Sequence, residues 1–244
     1  MDKRTRKRMK LATTAAVALL AVLALFPAAA AADTTTLTLI AAPNVIPYNG
    51  SSVLTGTLMN TTTITAVGGV PILVQGGPSA AGPWRDIAVI TTLDGVPAYY
   101  TGTYTLVVAP RNKTFYRMRF FGTTGLDAAD SAAASVTPKV YLSQPKVPAR
   151  VRHGQRFWVL CYLQPKHSAG LKHVVRFRFY RYTYGVWKYR FSRSGKTFNY
   201  LNFTKIVLRT SIKRTGQWKV LAIAPADALH ATTTSRPSRV IRVR

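Results

Sequence analysis

The sequence predicts an all-β protein built as two tandem β-sandwiches of about 100 residues each, and three observations carry that expectation. Beyond Ala32 the chain is a succession of short Thr-, Val-, Ile- and Leu-rich runs broken by Gly, Pro and Asn. No long stretch has the 3.6-residue period of an amphipathic helix. The plan of the first half then recurs in the second at a nearly constant spacing.

Taken in order, residues 1–32 read as an export signal peptide. Lys3, Arg4, Arg6, Lys7, Arg8 and Lys10 form a basic start, Leu11 to Phe26 form an apolar stretch, and Pro27 with the alanines after it offers a signal-peptidase site. The apolar stretch is shorter than the ~20 residues a membrane-spanning helix needs, so cleavage near Asp33, leaving no stable membrane span, is expected over retention as an anchor. The mature chain is then secreted.

Strands are expected near 34–41, 51–58, 70–75, 84–91, 102–108, 114–121 and 131–137, punctuated by Asn49-Gly50, Gly68-Gly69, Gly76-Gly77-Pro78, Asp94-Gly95 and Gly122. A second set is expected near 139–143, 155–163, 172–182, 186–193, 203–210, 217–224 and 238–243. The halves answer each other landmark by landmark. Gly50 corresponds to Gly154, Trp84-Arg85 to Trp187-Lys188, Tyr116-Arg117 to Trp218-Lys219, and Ser131 to Ser235, at offsets of 102 to 104 residues. The expected domains are therefore 33–138 and 139–244. They join through Val136-Thr137-Pro138-Lys139-Val140 with no Gly/Ser spacer, which predicts a stiff connection.

Several of these landmarks carry a resemblance. The strand entry Tyr48-Asn49-Gly50, the small-residue strand Leu54-Thr55-Gly56-Thr57-Leu58, the Trp-bearing strand and the closing Tyr116-Arg117-Met118-Arg119-Phe120 resemble the bacterial immunoglobulin-like modules of secreted cell-envelope proteins. The resemblance covers both halves and implies adhesion, spacing or wall association. The chain departs from antibody-type domains in lacking paired cysteines, because Cys161 stands alone and has no counterpart near Trp218. With no disulfide available, each half must be held by its core. Cys161 follows Phe157-Trp158-Val159-Leu160 and is expected to be a buried small hydrophobe.

Charge is divided unevenly. Residues 33–138 carry Arg85, Arg111, Lys113, Arg117 and Arg119 against five aspartates, whereas residues 139–244 carry 23 lysines and arginines against Asp227 alone. A field of that size concentrates anionic partners. It also argues against an enzyme. Glycoside hydrolysis needs two carboxylates, which the second half does not have. No nucleophile elbow, phosphate-binding glycine loop or dinucleotide fingerprint occurs. No cofactor is implied. His153, His167, His173 and His230 follow no metal-ligand spacing, and His167 and His173 are expected to face solvent. Asp127 and Asp130 could contribute to a calcium site between the domains, but two carboxylates in an Ala-rich loop are expected to be simply solvated.

The strongest functional clue is Leu171 to Arg193, where cations and aromatics alternate about a turn at Tyr184-Gly185. Strict alternation puts Val175, Phe177, Phe179, Trp187, Tyr189 and Phe191 inside, and Arg176, Arg178, Tyr180, Tyr182, Lys188 and Arg190 outside. In an immunoglobulin-type sandwich the strands bearing Lys219, Arg242 and Arg244 join the same sheet, while Lys205 and Arg209 fall on the other. These outward residues form the expected site for an anionic cell-wall or surface polymer. Nucleic acid is the alternative partner, and a structural spacer or adhesion module the third reading.

Overall fold

The computed structural model describes residues 31–94, 101–167 and 175–244, and every regular element in them is a β-strand. Most of the expected leader, the Gly95 half of the Asp94-Gly95 turn, and His173 lie outside the described residues. In the first half the strands are β1 (Thr35–Leu37), β2 (Ile40–Ala42), β3 (Val45–Ile46), β4 (Ser52–Asn60), β5 (Thr65–Ala66), β6 (Pro71–Gly77), β7 (Arg85–Thr91), β8 (Thr103–Val108), β9 (Thr114–Phe120), β10 (Ala129–Asp130) and β11 (Ala134–Pro138). One sheet centres on β4, which pairs with β1, β2, β5 and β8. The other runs β3-β11-β9-β6-β7, with β10 on β9.

The second half contains β12 (Tyr141–Leu142), β13 (Arg150–Val151), β14 (Arg156–Gln164), β15 (Arg176–Thr183), β16 (Val186–Ser194), β17 (Lys196–Tyr200), β18 (Phe203–Ser211), β19 (Gly216–Ala224), β20 (Thr233–Thr234) and β21 (Ile241–Val243). Its sheets run β12-β14-β18-β17 and β13-β21-β19-β15-β16, with β20 on β19. The six-stranded sheets of the two halves match strand for strand, down to a short parallel pairing at one edge: β3 on β11, β13 on β21. The internal repeat is thus a repeat of topology.

Alternation explains why the sheets close on each other. In β14, Phe157, Val159, Cys161 and Leu163 point inward, and in β19 Trp218, Val220, Ala222 and Ala224 do. Residues from both sheets of the second half form one continuous core, and Leu37, Leu54, Leu58, Ile72, Val74, Met118 and Phe120 anchor a second core in the first half. Each fully buried large apolar side chain contributes about 1.5–3 kcal/mol, so these cores, together with the sheets' hydrogen bonds, hold both halves without a disulfide. Cys161 is part of that core, and burial pushes its thiol far above the ordinary range. It should remain silent to an aqueous thiol reagent in the native protein and react only after denaturant is added; reaction at full rate without denaturant would contradict its placement.

Between the halves, Pro138 and Lys139 pass directly from β11 toward β12. The Ala231 N–H donates to the Pro138 carbonyl (2.9 Å), the Lys113 N–H donates to the Leu229 carbonyl (2.8 Å), and Tyr48 and Tyr141 meet with ring centres 6.1 Å apart.

Candidate functional site

The cation-rich hairpin forms as expected up to its middle and then departs from expectation. Tyr184 and Gly185 both have positive φ, 54° and 79°, the requirement of a two-residue type I′ turn whose twist suits a hairpin. Arg176 and Arg178 are exposed, and Val175, Phe177 and Phe179 are buried. The partner strand, however, contains a bulge. Phe179 pairs with Phe191, and Tyr180 pairs with Tyr189, so Arg190 is an extra residue with no partner. One extra residue shifts every later side chain to the opposite face.

The consequence is a correction to four residues. Trp187 and Tyr189 lie on the outer face with Tyr182 and Tyr180, their register partners, and only Phe191 of the three expected core rings packs inward, stacked on Phe179 at 4.5 Å. Lys188 pairs with Arg181 on the opposite side, and Arg190 reaches Thr183 Oγ1 at 3.4 Å. Neither Lys188 nor Arg190 belongs to the expected face. Arg190 instead lines a separate cavity of about 420 Å³ at the open side of the sandwich, with Arg193, Lys213, Arg214 and the edges of Phe191 and Trp218.

What remains outside is a four-ring cluster bordered by cations. Tyr180 and Tyr189 meet edge to face at 5.8 Å, and Tyr182 and Trp187 lie 5.1 Å apart. On the neighbouring strand Lys219, opposite Tyr180 in register, places its Nζ 4.3 Å from the centre of the Trp187 ring. Arg176 and Arg178 continue the face along β15, and Arg242 and Arg244 occupy its far margin on and just after β21, all exposed. The first half has the same pair in miniature, Arg117 over Trp84 at 4.7 Å. There Arg117 and Arg119 are countered by Asp130, at 3.4 and 3.5 Å, so Asp130 is engaged rather than merely solvated. In the second half Asp227 is the only acidic side chain, and it is engaged elsewhere.

A second surface, which the sequence does not predict, lies on the other sheet. Lys205 and Arg209 do fall on the other sheet, but they are not isolated there. With Trp158, Lys196, Phe198 and Tyr200 they line a groove of about 670 Å³ on its outer side. Arg209 lies over Trp158 at 5.6 Å and Lys205 over Tyr200 at 5.7 Å. The strand that completes this groove is β17, which is not among the strands expected from the sequence. Its signal is Thr197, Phe198 and Tyr200, three strand formers in a run of only five residues that Lys196 and Asn199 dilute and that Gly195 alone separates from β16.

The histidines also differ from expectation. His167 is largely covered, with 14% of its side chain exposed, and it meets Asp227, which also contacts the buried His230. Burial raises the Asp227 carboxyl, but the Leu229 N–H, His167 and the His230 N–H outweigh it and hold the group below the usual carboxylate range. His153 is separate, its Nε2 2.6 Å from the Lys213 carbonyl. Among the described residues no helix is long and apolar enough to cross a membrane.

No protein-family model and no curated protein matches the chain. Among solved structures, it is similar to Titin-A168169 at 12% identity and a TM-score of 0.32, over 87% of this chain and 96% of that one.

Proposed function

We propose that the protein is a secreted, non-enzymatic cell-envelope component of two tandem immunoglobulin-like modules, 33–138 and 139–244, whose basic second module holds an anionic wall or surface polymer. The observation that carries this reading is the outer face of the β13-β21-β19-β15-β16 sheet. Rings and cations share it, as in the Lys219–Trp187 pair at 4.3 Å, and its own half has no spare carboxylate to neutralise Arg176, Arg178, Arg242 and Arg244. Guanidinium groups donate in pairs to carboxylate or phosphate, and flat rings pack on the apolar faces of repeating units. The residues that bind are then Arg176, Arg178, Tyr180, Tyr182, Trp187, Tyr189, Lys219, Arg242 and Arg244. An exported mature chain is consistent with this use, because such polymers lie outside the cell.

The second reading is a single-stranded nucleic acid, favoured by the same exposed rings, since every base offers a face to stack. Retention of the mature chain on immobilised acidic polysaccharide, phosphate-backbone wall polymer and single-stranded DNA, matched for charge, separates the two. Retention on a wall polymer, eluted by salt and absent on a neutral polysaccharide, is expected. Stronger retention on DNA supports the second reading, and no retention on any of them at low salt overturns both.

A further inference from the structure

We propose that His167, Asp227 and His230 form a binding site for a zinc-class divalent cation, at the end of the second half that meets the first. The three residues come from two loops. His167 follows β14, and Asp227 and His230 lie between β19 and β20, 60 residues away in sequence. Nε2 of His167 is 3.1 Å from Asp227 Oδ2, and Nδ1 of His230 is 3.3 Å from the same oxygen and 3.2 Å from Oδ1. One ligand atom from each residue lies within 4.8 Å of the others. Zinc bonds to N and O of 2.0–2.1 Å define a tetrahedron with edges of about 3.3 Å. Two of the three edges therefore already have that length, and the third, between the two imidazoles, is within 4.8 Å.

Hydrogen bonding around His167 sharpens the case. Its Nδ1 faces the Pro165 carbonyl at 2.8 Å and must carry a hydrogen to bond there. In the neutral ring Nε2 is then a lone pair aimed at a carboxylate oxygen, one acceptor facing another. Positive charge at that point resolves the contact, either a second ring proton or a cation held by both groups. The Pro165 bond is also the outer support typical of a metal-binding histidine, fixing the tautomer that offers Nε2. His230 is 4% exposed; its Nδ1 donates to the Asp227 carboxylate while no ion is bound, and its Nε2, which has no hydrogen-bond partner, is free to take the ring proton when Nδ1 turns to a cation. Two nitrogens and one oxygen suit zinc and its transition-metal neighbours rather than calcium or magnesium.

The location gives the site a consequence. The same loop offers the Leu229 carbonyl to Lys113 and the Ala231 N–H to Pro138. A cation bound here ties the end of β14 to the loop that touches the first half, and so stiffens the junction.

The test uses the mature chain, untagged and stripped with a chelator, titrated with Zn2+ at neutral pH by calorimetry. One equivalent should bind and raise the melting temperature, Co2+ should develop the visible bands of a tetrahedral site, and Ca2+ and Mg2+ should do neither. His167→Gln and Asp227→Asn should each abolish the stoichiometric binding, while His153→Gln keeps it. Asp227→Asn is nearly isosteric and leaves the test standing should His167→Gln fail to fold. Failure of the wild-type chain to bind Zn2+ overturns the proposal and leaves a protonated His167 paired with Asp227; binding that survives in both variants overturns it as well.

Discussion

Replacing Trp218 with alanine is expected to unfold the second half far more readily than any surface change. The ring is 2% exposed, lies 6.1 Å from Phe191, and donates its indole N–H to the Arg214 carbonyl at 3.1 Å. Truncating a buried aromatic to alanine costs about 3–5 kcal/mol, and a domain has only about 5–15 kcal/mol in total. Trp158→Ala is the natural comparison, since that ring is 58% exposed and should change stability far less. Urea unfolding followed by circular dichroism reads both. Equal midpoints for the two variants would show that the core has been drawn wrongly.

The second large effect concerns binding. Trp187→Ala removes the ring that Lys219 covers and Tyr182 abuts, and stacking on such a platform is worth about 1–3 kcal/mol per repeating unit if a polymer uses it as bases do. The affinity for the retained polymer should fall roughly 5- to 150-fold on that scale, with little change in melting temperature, because the ring packs on the outside of the sheet. Phe198→Ala, in the groove of the opposite sheet, tests which surface dominates. A larger loss from Phe198→Ala would move the site to that groove.

These expectations depend on features that the sequence displayed unequally. Strands such as β14 and β19 were legible as continuous apolar runs, Phe157 to Leu163 and Val220 to Ala224, of strand length and bounded by polar or turn residues, although which side of each faces the core shows only in the sheet pairing. The Tyr184-Gly185 turn was legible too, since Gly accepts positive φ without strain. The bulge at Arg190 was not, because an extra residue inside an alternating run of Trp, Lys, Tyr, Arg and Phe leaves the local pattern intact and only the partner strand reveals it. That one residue decides whether Trp187 and Tyr189 are core or surface. The groove around Phe198 was hidden because β17 is only five residues long and follows β16 with Gly195 alone between them, so the two read as one run. His167 and Asp227 could not be associated from spacing, since 60 residues and two loops separate them and only the fold brings them together.

The central claim is that binding is carried by the outer face of one sheet, and that the bulge removes Lys188 and Arg190 from it. The direct measurement is the salt dependence of polymer affinity for the wild-type chain, for Arg176→Gln with Arg178→Gln, and for Lys188→Gln with Arg190→Gln. Each lost phosphate-type contact lowers the slope of log affinity against log salt by about 0.7 to 0.9, so the first pair should flatten it by roughly 1.4 to 1.8. The second pair, with the same loss of formal charge, should leave the slope nearly at the wild-type value. Equal flattening by the two pairs would mean that diffuse positive charge binds the polymer, and would contradict the face described.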